Sequence, residues 1–133
     1  MSERGQVTVF VAGMTLVVLA VVGVAVDATR AFLFRRTLQN AADASALAGA
    51  SEIDRALYYG ADRVELAEGS AVRAARDWLA TRAVGADAAI SIEGDEVEVV
   101  LRGSIPSTFL GVVGIGELTV AAEARAAPIA GAP

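Results

Sequence analysis

Twenty consecutive residues, Val7 to Val26 (VTVFVAGMTLVVLAVVGVAV), contain neither a charge nor a proline. As an α-helix rising about 1.5 Å per residue they would be roughly 30 Å long, the thickness of a bilayer's hydrocarbon core. The hydroxyls of Thr8 and Thr15 can bond back to helix carbonyls, and Gly13 and Gly23 are tolerated in membrane helices. A buried core helix is the first alternative. It would ask the rest of a 133-residue chain to surround a helix that is apolar on every side, and the chain is too short for that. A cleaved signal peptide is the second, because a small-residue site stands at Val26-Asp27-Ala28. Its apolar region should be shorter, and its start more basic than Met1–Gly5, where Arg4 and the amino terminus face Glu3. The expectation is an uncleaved single-pass anchor over 7–26, in contact with membrane lipid, after a stub at 1–6.

The missing residue types narrow the chemistry. The chain has no cysteine, histidine or lysine, and all 11 of its bases are arginines. A disulfide framework, a thiolate nucleophile and a zinc-thiolate site are thereby excluded, and the commonest general base is absent. The net charge is −5, and beyond residue 26 fifteen acids face ten arginines. Such an exterior repels a phosphate backbone, so nucleic acid is not an expected partner. No P-loop, dinucleotide fingerprint, HExxH or EF-hand pattern occurs. No cofactor, catalytic residue or metal ligand is expected, and the chain does not read as an enzyme. The densest acidic group is Glu93, Asp95, Glu96 and Glu98. Strand alternation would let some of these converge on a cation, but a solvated strand face that discourages edge pairing is the ordinary reading.

No proline precedes Pro106, so the helix can continue from the apolar run to Ala50. Projected at 100° per residue, 27–50 separates into two faces. One carries Ala31, Phe34, Leu38, Ala41, Ala42, Ser45, Ala48 and Gly49. The other carries Arg36, Gln39, Asn40 and Asp43, with Leu47 and Ala50 as exceptions on it. Gln39 and Asp43, four apart, can interact. Small residues let backbones approach closely, so Leu38, Ala41, Ala42, Ser45 and Gly49 form a candidate packing seam. Its occupant is left open between a helix of a partner chain and the chain's own small domain, where alanine would serve mainly as a helix former.

The run VDATRAFLFRRTLQNAADASALAGA (26–50), following an N-terminal apolar segment, closely resembles the Flp/Tad pilus-assembly family of TadG-like proteins. Asp27 and Arg30 match the first part of that family's pattern. Leu38, Gln39, Asn40, Ala41, Ala42, Asp43, Ala44, Ala46, Leu47 and Ala48 match the second. The resemblance covers about residues 4–50. It implies a membrane-anchored structural or assembly component of a Tad (Flp, type IVc) pilus or related secretion system, pilin-like in outline. Its partners would be other Tad proteins or a second copy of itself. It assigns no chemical role to the matched residues. The sequence RGQVTVF places a Gly after a base, as at a prepilin peptidase site. Phe10, however, stands where processed pilins and TadE-like pseudopilins carry a Glu, which favours an unprocessed anchor. Orientation draws opposed arguments. Arg30, Arg35 and Arg36 outnumber the charge at the amino-terminal flank, which would put the carboxyl side in the cytoplasm. The resemblance implies the reverse, with the bulk of the chain outside, and the expectation follows it.

Residues 51–69 are charged and punctuated by glycine, with breaks expected at Tyr58-Tyr59-Gly60 and at Gly69-Ser70. Ser70 would cap a second helix over 71–84, with Val72, Ala75, Trp78 and Leu79 on its apolar stripe and Gly85 as its stop. Trp78, alone on such a stripe, reads as core. The period then changes to two. Ile90 and Ile92 precede a Gly94-Asp95 turn, Val97, Val99 and Leu101 follow it, and a third strand runs over 118–126. Between the last two strands, SIPSTFLGVVGIG opens at Pro106, a good first helical position, and could lie on the sheet or dip to a membrane surface. The fold class expected is α+β: a long N-terminal helix, a second helix and a three-stranded antiparallel sheet. The expected domains are the stub at 1–6 in the cytoplasm, the membrane helix 7–26, the amphipathic extension 27–50, an extracytoplasmic domain at 51–127 and a disordered tail at 128–133. An anchored or secreted envelope module, binding a ligand through the 104–116 loop, is the alternative function.

Overall fold

The computed structural model describes residues 3–59, 64–82 and 85–128. Helix α1 spans Glu3–Tyr59 and helix α2 Val64–Arg82. Strands β1 (Asp87–Glu93), β2 (Glu96–Pro106) and β3 (Glu117–Ala126) form one antiparallel sheet in the order β1-β2-β3, with a 3-10 turn at Leu110–Val113 between the last two. The α+β architecture is the one the sequence pattern leads to.

Several boundaries differ. Helix α1 extends past Ala50 and ends at Tyr59, within the Tyr58-Tyr59-Gly60 stretch where a break is expected, and Gly60 lies outside the described residues. Helix α2 begins at Val64, so Gly69 and Ser70 sit inside it and Ser70 is no cap. One internal glycine costs about 1 kcal/mol relative to alanine. Burial of Ala71, Ala75 and Leu79 on the following turns offsets that cost. Gly85 takes the left-handed conformation suited to a stop (φ 63°), but residues 83–84 before it lie outside the described set. Pro106 closes β2 instead of opening a helix, and the apolar turn starts at Leu110. Of the expected tail, 129–133 lies outside the described residues.

Contacts divide the chain into two compact units, 1–33 with 105–118 and 34–104 with 119–133. In the first, the apolar run is almost without protein cover. Val9 is 74% exposed, Phe10 69% and Leu16 68%, so this chain by itself leaves most of the run uncovered. Helix α1 is long and apolar enough to cross a membrane.

The second unit has a closed core. Leu38, Ala41, Ala42, Ala46 and Ala50 of α1 join Ala71 and Leu79 of α2, Val97, Val99 and Leu101 of β2, and Ala122 and Ala124 of β3. Val97 and Val99 face inward by the strand period, and their register partners on β1 are Ile92 and Ile90, which pack against the same core. Gly94, with φ 67°, makes the turn between β1 and β2. Trp78 is half-buried against the core, and the Arg82 guanidinium stands 4.8 Å from its ring centre.

Ala50, expected on the polar face, is buried. The reason lies in the buried set itself: 41–42, 45–46 and 49–50 follow i, i+4 rows, which drift about 40° around the helix at each step. By Ala50 that drift has carried the contact onto the side a straight projection labels polar. Leu47, the other exception, stays exposed.

Candidate functional site

Asp27 stands one residue beyond the apolar run and is 1% exposed. Its carboxylate accepts three backbone N–H groups from a segment about eighty residues away in the chain. Thr108 N–H reaches Oδ1 at 2.9 Å, and Phe109 and Leu110 N–H both reach Oδ2 at 2.8 Å. Those amides open the 3-10 turn Leu110–Val113, whose own N-cap residue, Phe109, provides no side-chain cap. The first N–H groups of a helical turn have no partner within it, and an acid is the favoured acceptor there. Asp27 therefore caps from α1 a turn that lacks a cap of its own.

Two more residues of α1 complete the arrangement. Arg30 Nη1 donates to Thr108 Oγ1 at 2.6 Å. A Cβ built on Gly23 would lie 2.6 Å from the Phe109 ring, so that ring rests on bare helix backbone where only glycine fits. Gly23, Asp27 and Arg30 follow i, i+4, i+7 spacing and share one helix face. The N–H groups of Leu110 and Thr108 hold the Asp27 carboxyl below the usual carboxylate range. Phe109 and Arg30 add to this, and desolvation opposes it.

The turn closes on itself at its far end. Gly114 is left-handed (φ 91°), and its N–H bonds the Gly111 carbonyl. Ile115 N–H bonds Leu110 O, Ser107 N–H bonds Gly116 O, and the Ser107 hydroxyl donates to the Ile115 carbonyl.

The other residues singled out from the sequence lie in the second unit. Leu38, Ala41, Ala42, Ser45 and Gly49 are all buried. A Cβ on Gly49 would come within 3.1 Å of both the Ala71 carbonyl oxygen and Val97 Cγ1, so α2 and β2 occupy the space over it. The Ser45 hydroxyl donates to the Ala42 carbonyl, which lets a polar group sit in this core. Gln39 Nε2 bonds Asp43 Oδ1 at 3.1 Å, as their spacing allows, and also the Glu123 carbonyl at 2.8 Å. Asn40, Asp43 and Leu47 are exposed, Ala44 and Ala48 half-buried, and Ala46 buried.

One member of the acidic group on the sheet is paired across the strands. Glu98 accepts from Ser91 at 3.2 Å and pairs with Arg125 at 2.6 Å, and Arg125 also meets Glu123 at 3.1 Å. Among the described residues no three metal-ligating side chains gather at one point.

Residues 5–52 match the family model described as "Putative Flp pilus-assembly TadE/G-like". The similarity is confined to this N-terminal segment. No curated protein and no solved structure matches the chain. The matched segment contains Gly23, Asp27, Arg30 and the small-residue face of α1, and it ends near the last buried alanine of that face. The amides that Asp27 holds, and the strands and helix that cover Gly49, lie beyond it. A match confined to 5–52 therefore covers Asp27 and Arg30 but not the groups they bind. The only hint in the sequence was a lone acid ending an apolar run, in a chain whose apolar loop at 103–116 has no acid of its own.

Proposed function

We propose that the chain is a membrane-anchored structural or assembly component of a Tad (Flp) pilus or a related secretion system, with no catalytic role. One observation carries the reading: the matched segment coincides with a helix whose apolar run is almost without protein cover. In this reading 7–26 crosses the bilayer, the amino-terminal stub is cytoplasmic and the residues beyond 26 lie outside. The partners are other Tad pilus or secretion proteins. The burial of Leu38, Ala41, Ala42, Ser45 and Gly49 supports an internal role for that face, which leaves the exposed Asn40, Asp43 and Leu47 for a partner.

Two measurements test this. A reporter active only outside the cytoplasm, fused after Ala127, should score positive, and activity of a cytoplasm-only reporter there would reverse the topology. The full chain, extracted from membranes in mild detergent, should co-purify with other Tad proteins. Recovery as a soluble monomer from the non-membrane fraction would sink the proposal.

A further inference from the structure

The turn that Asp27 holds presents an uncovered apolar tip. Val112 is 87% exposed, Val113 73%, and Phe109 and Ile115 47% each. No charged residue occurs anywhere in 103–116. On a water-facing loop such a cluster would be unusual, since loops are mostly polar and contiguous apolar patches mark contact surfaces.

Two independent observations say what covers this one. The first is depth. The Phe109 ring rests on Gly23, which belongs to the apolar run and lies three residues before its end at Val26. At about 1.5 Å per residue, the point of contact is roughly 4–5 Å inside the end of the run. A turn packed there lies beside the last helical turn of the anchor, at the level where the hydrocarbon core meets the headgroups. The second is backbone satisfaction. The N–H groups of Thr108, Phe109 and Leu110 are taken by Asp27, and those of Val112, Gly114 and Ile115 by carbonyls within the turn. Non-helical backbone entering lipid needs such internal partners, whereas a loop in water does not.

We propose that the Phe109–Ile115 turn inserts into the lipid surface at the carboxyl end of the anchor helix, as a second membrane contact with Val112 and Val113 foremost. Asp27 and Arg30 act as its positioning residues: they satisfy and orient the turn without touching lipid. The contact extends the anchor's own surface, because Phe109 is continuous with the apolar run through Gly23. Insertion of this kind restricts how the anchor can rotate about its axis, which a single helix alone does not do. The inference rests on the reading of 7–26 as a membrane span.

The absence of native cysteine makes the test direct. Full-length single-cysteine variants Val112→Cys, Val113→Cys, Val18→Cys and Ser91→Cys are labelled with an environment-sensitive fluorophore. They are then reconstituted into phosphatidylcholine–phosphatidylglycerol vesicles carrying bromines either near the headgroup or deep in the acyl chains. The labels at 112 and 113 should be quenched chiefly by shallow bromines, the label at 18 by deep ones, and the label at 91 by neither. Both turn positions are exposed, so labelling leaves the packing of Phe109 and Leu110 intact, and thermal unfolding in detergent checks this. Quenching at 18 with none at 112 and 113 beyond that at 91 would overturn the lipid contact while leaving the anchor in place. Absence of quenching at 18 would instead remove the anchor, and this inference with it. Blue-shifted emission at 112 and 113 without quenching would mean that a protein surface, such as a second copy, covers the turn, and that too would overturn the proposal.

Discussion

Helix α1 is apolar along two stretches that end in opposite circumstances. Over 7–26 most side chains are valine, leucine, phenylalanine or methionine, and Val7, Val9, Leu16 and Val21 stand 62% exposed or more. Over 38–50 the apolar positions are mostly alanine, and Leu38, Ala42, Ala46 and Ala50 are at most 2% exposed. Hydrophobicity alone would rank the first stretch as the better core. Side-chain size decides otherwise. Small residues let α2 and β2 approach the backbone of α1, as the 3.1 Å clearances over Gly49 show, so a small domain can close over them. A helix apolar all round has no single face to offer, so a small domain of this chain does not close over it.

The comparison breaks most visibly in the uncovered stretch. Leu16→Arg together with Val18→Arg should cost about 5–7 kcal/mol of membrane insertion, taking roughly 2.5–3.5 for each arginine near the middle of a span. Flotation of vesicles would read this as protein moving from the membrane to the soluble or aggregated fraction. Unchanged flotation would mean that the run is not in lipid.

The covered stretch should respond to bulk rather than to charge. Ala42→Leu or Gly49→Val would force atoms into a core that is already closed, at a cost of about 1–3 kcal/mol. Leu47→Ala, on the exposed side of the same helix, should stay within about 0.5 kcal/mol. Thermal unfolding of the full chain in detergent measures all three. Equal effects at 42 and 47 would mean that the seam is not closed by this chain. Loss of co-purification with Tad partners in Ala42→Leu without loss of stability would reassign the seam to a partner.

A smaller and more local effect is expected at the boundary between the stretches. Asp27 has its carboxyl held low by the turn's amides, so its contribution is fully present above the ordinary carboxylate range. That contribution is lost as pH falls through the depressed value. Hydrogen exchange at the Thr108, Phe109 and Leu110 amides should therefore accelerate selectively in acid, after correction for the intrinsic pH dependence. Asp27→Asn, which keeps a carbonyl acceptor but no charge, should raise exchange there at neutral pH and abolish the acid step. Insensitivity of these amides to both changes would show that the cap contributes nothing.

Much of the fold was legible because it rests on local periodicity. The run 7–26, the two-residue alternation of β1 and β2 around Gly94-Asp95, and the inward phase of Val97, Val99 and Leu101 all follow from the order of residue types. The boundaries that moved were those where a local signal met tertiary burial. Gly69 and Ser70 read as punctuation, but the apolar face of α2 carries the helix through them. Ala50 read as polar-side, but the oblique contact row reaches it. Pro106 read as a helix start, but it ends a strand.

The candidate site was half legible. Asp27 and Arg30 stood out by position and pattern, yet no property of residues 5–52 names amides eighty residues further on. What the sequence by itself determined was the element content, the uncovered apolar run, and a face of small residues able to be approached closely. These depend on composition and spacing within one element. Only the tertiary structure decided which surface filled that face, and that Asp27 caps a turn rather than standing in solvent. It also decided that Phe109 lies on Gly23. Each of these is a contact between segments distant in the chain, set by how whole elements pack, and short-range sequence pattern carries no record of it.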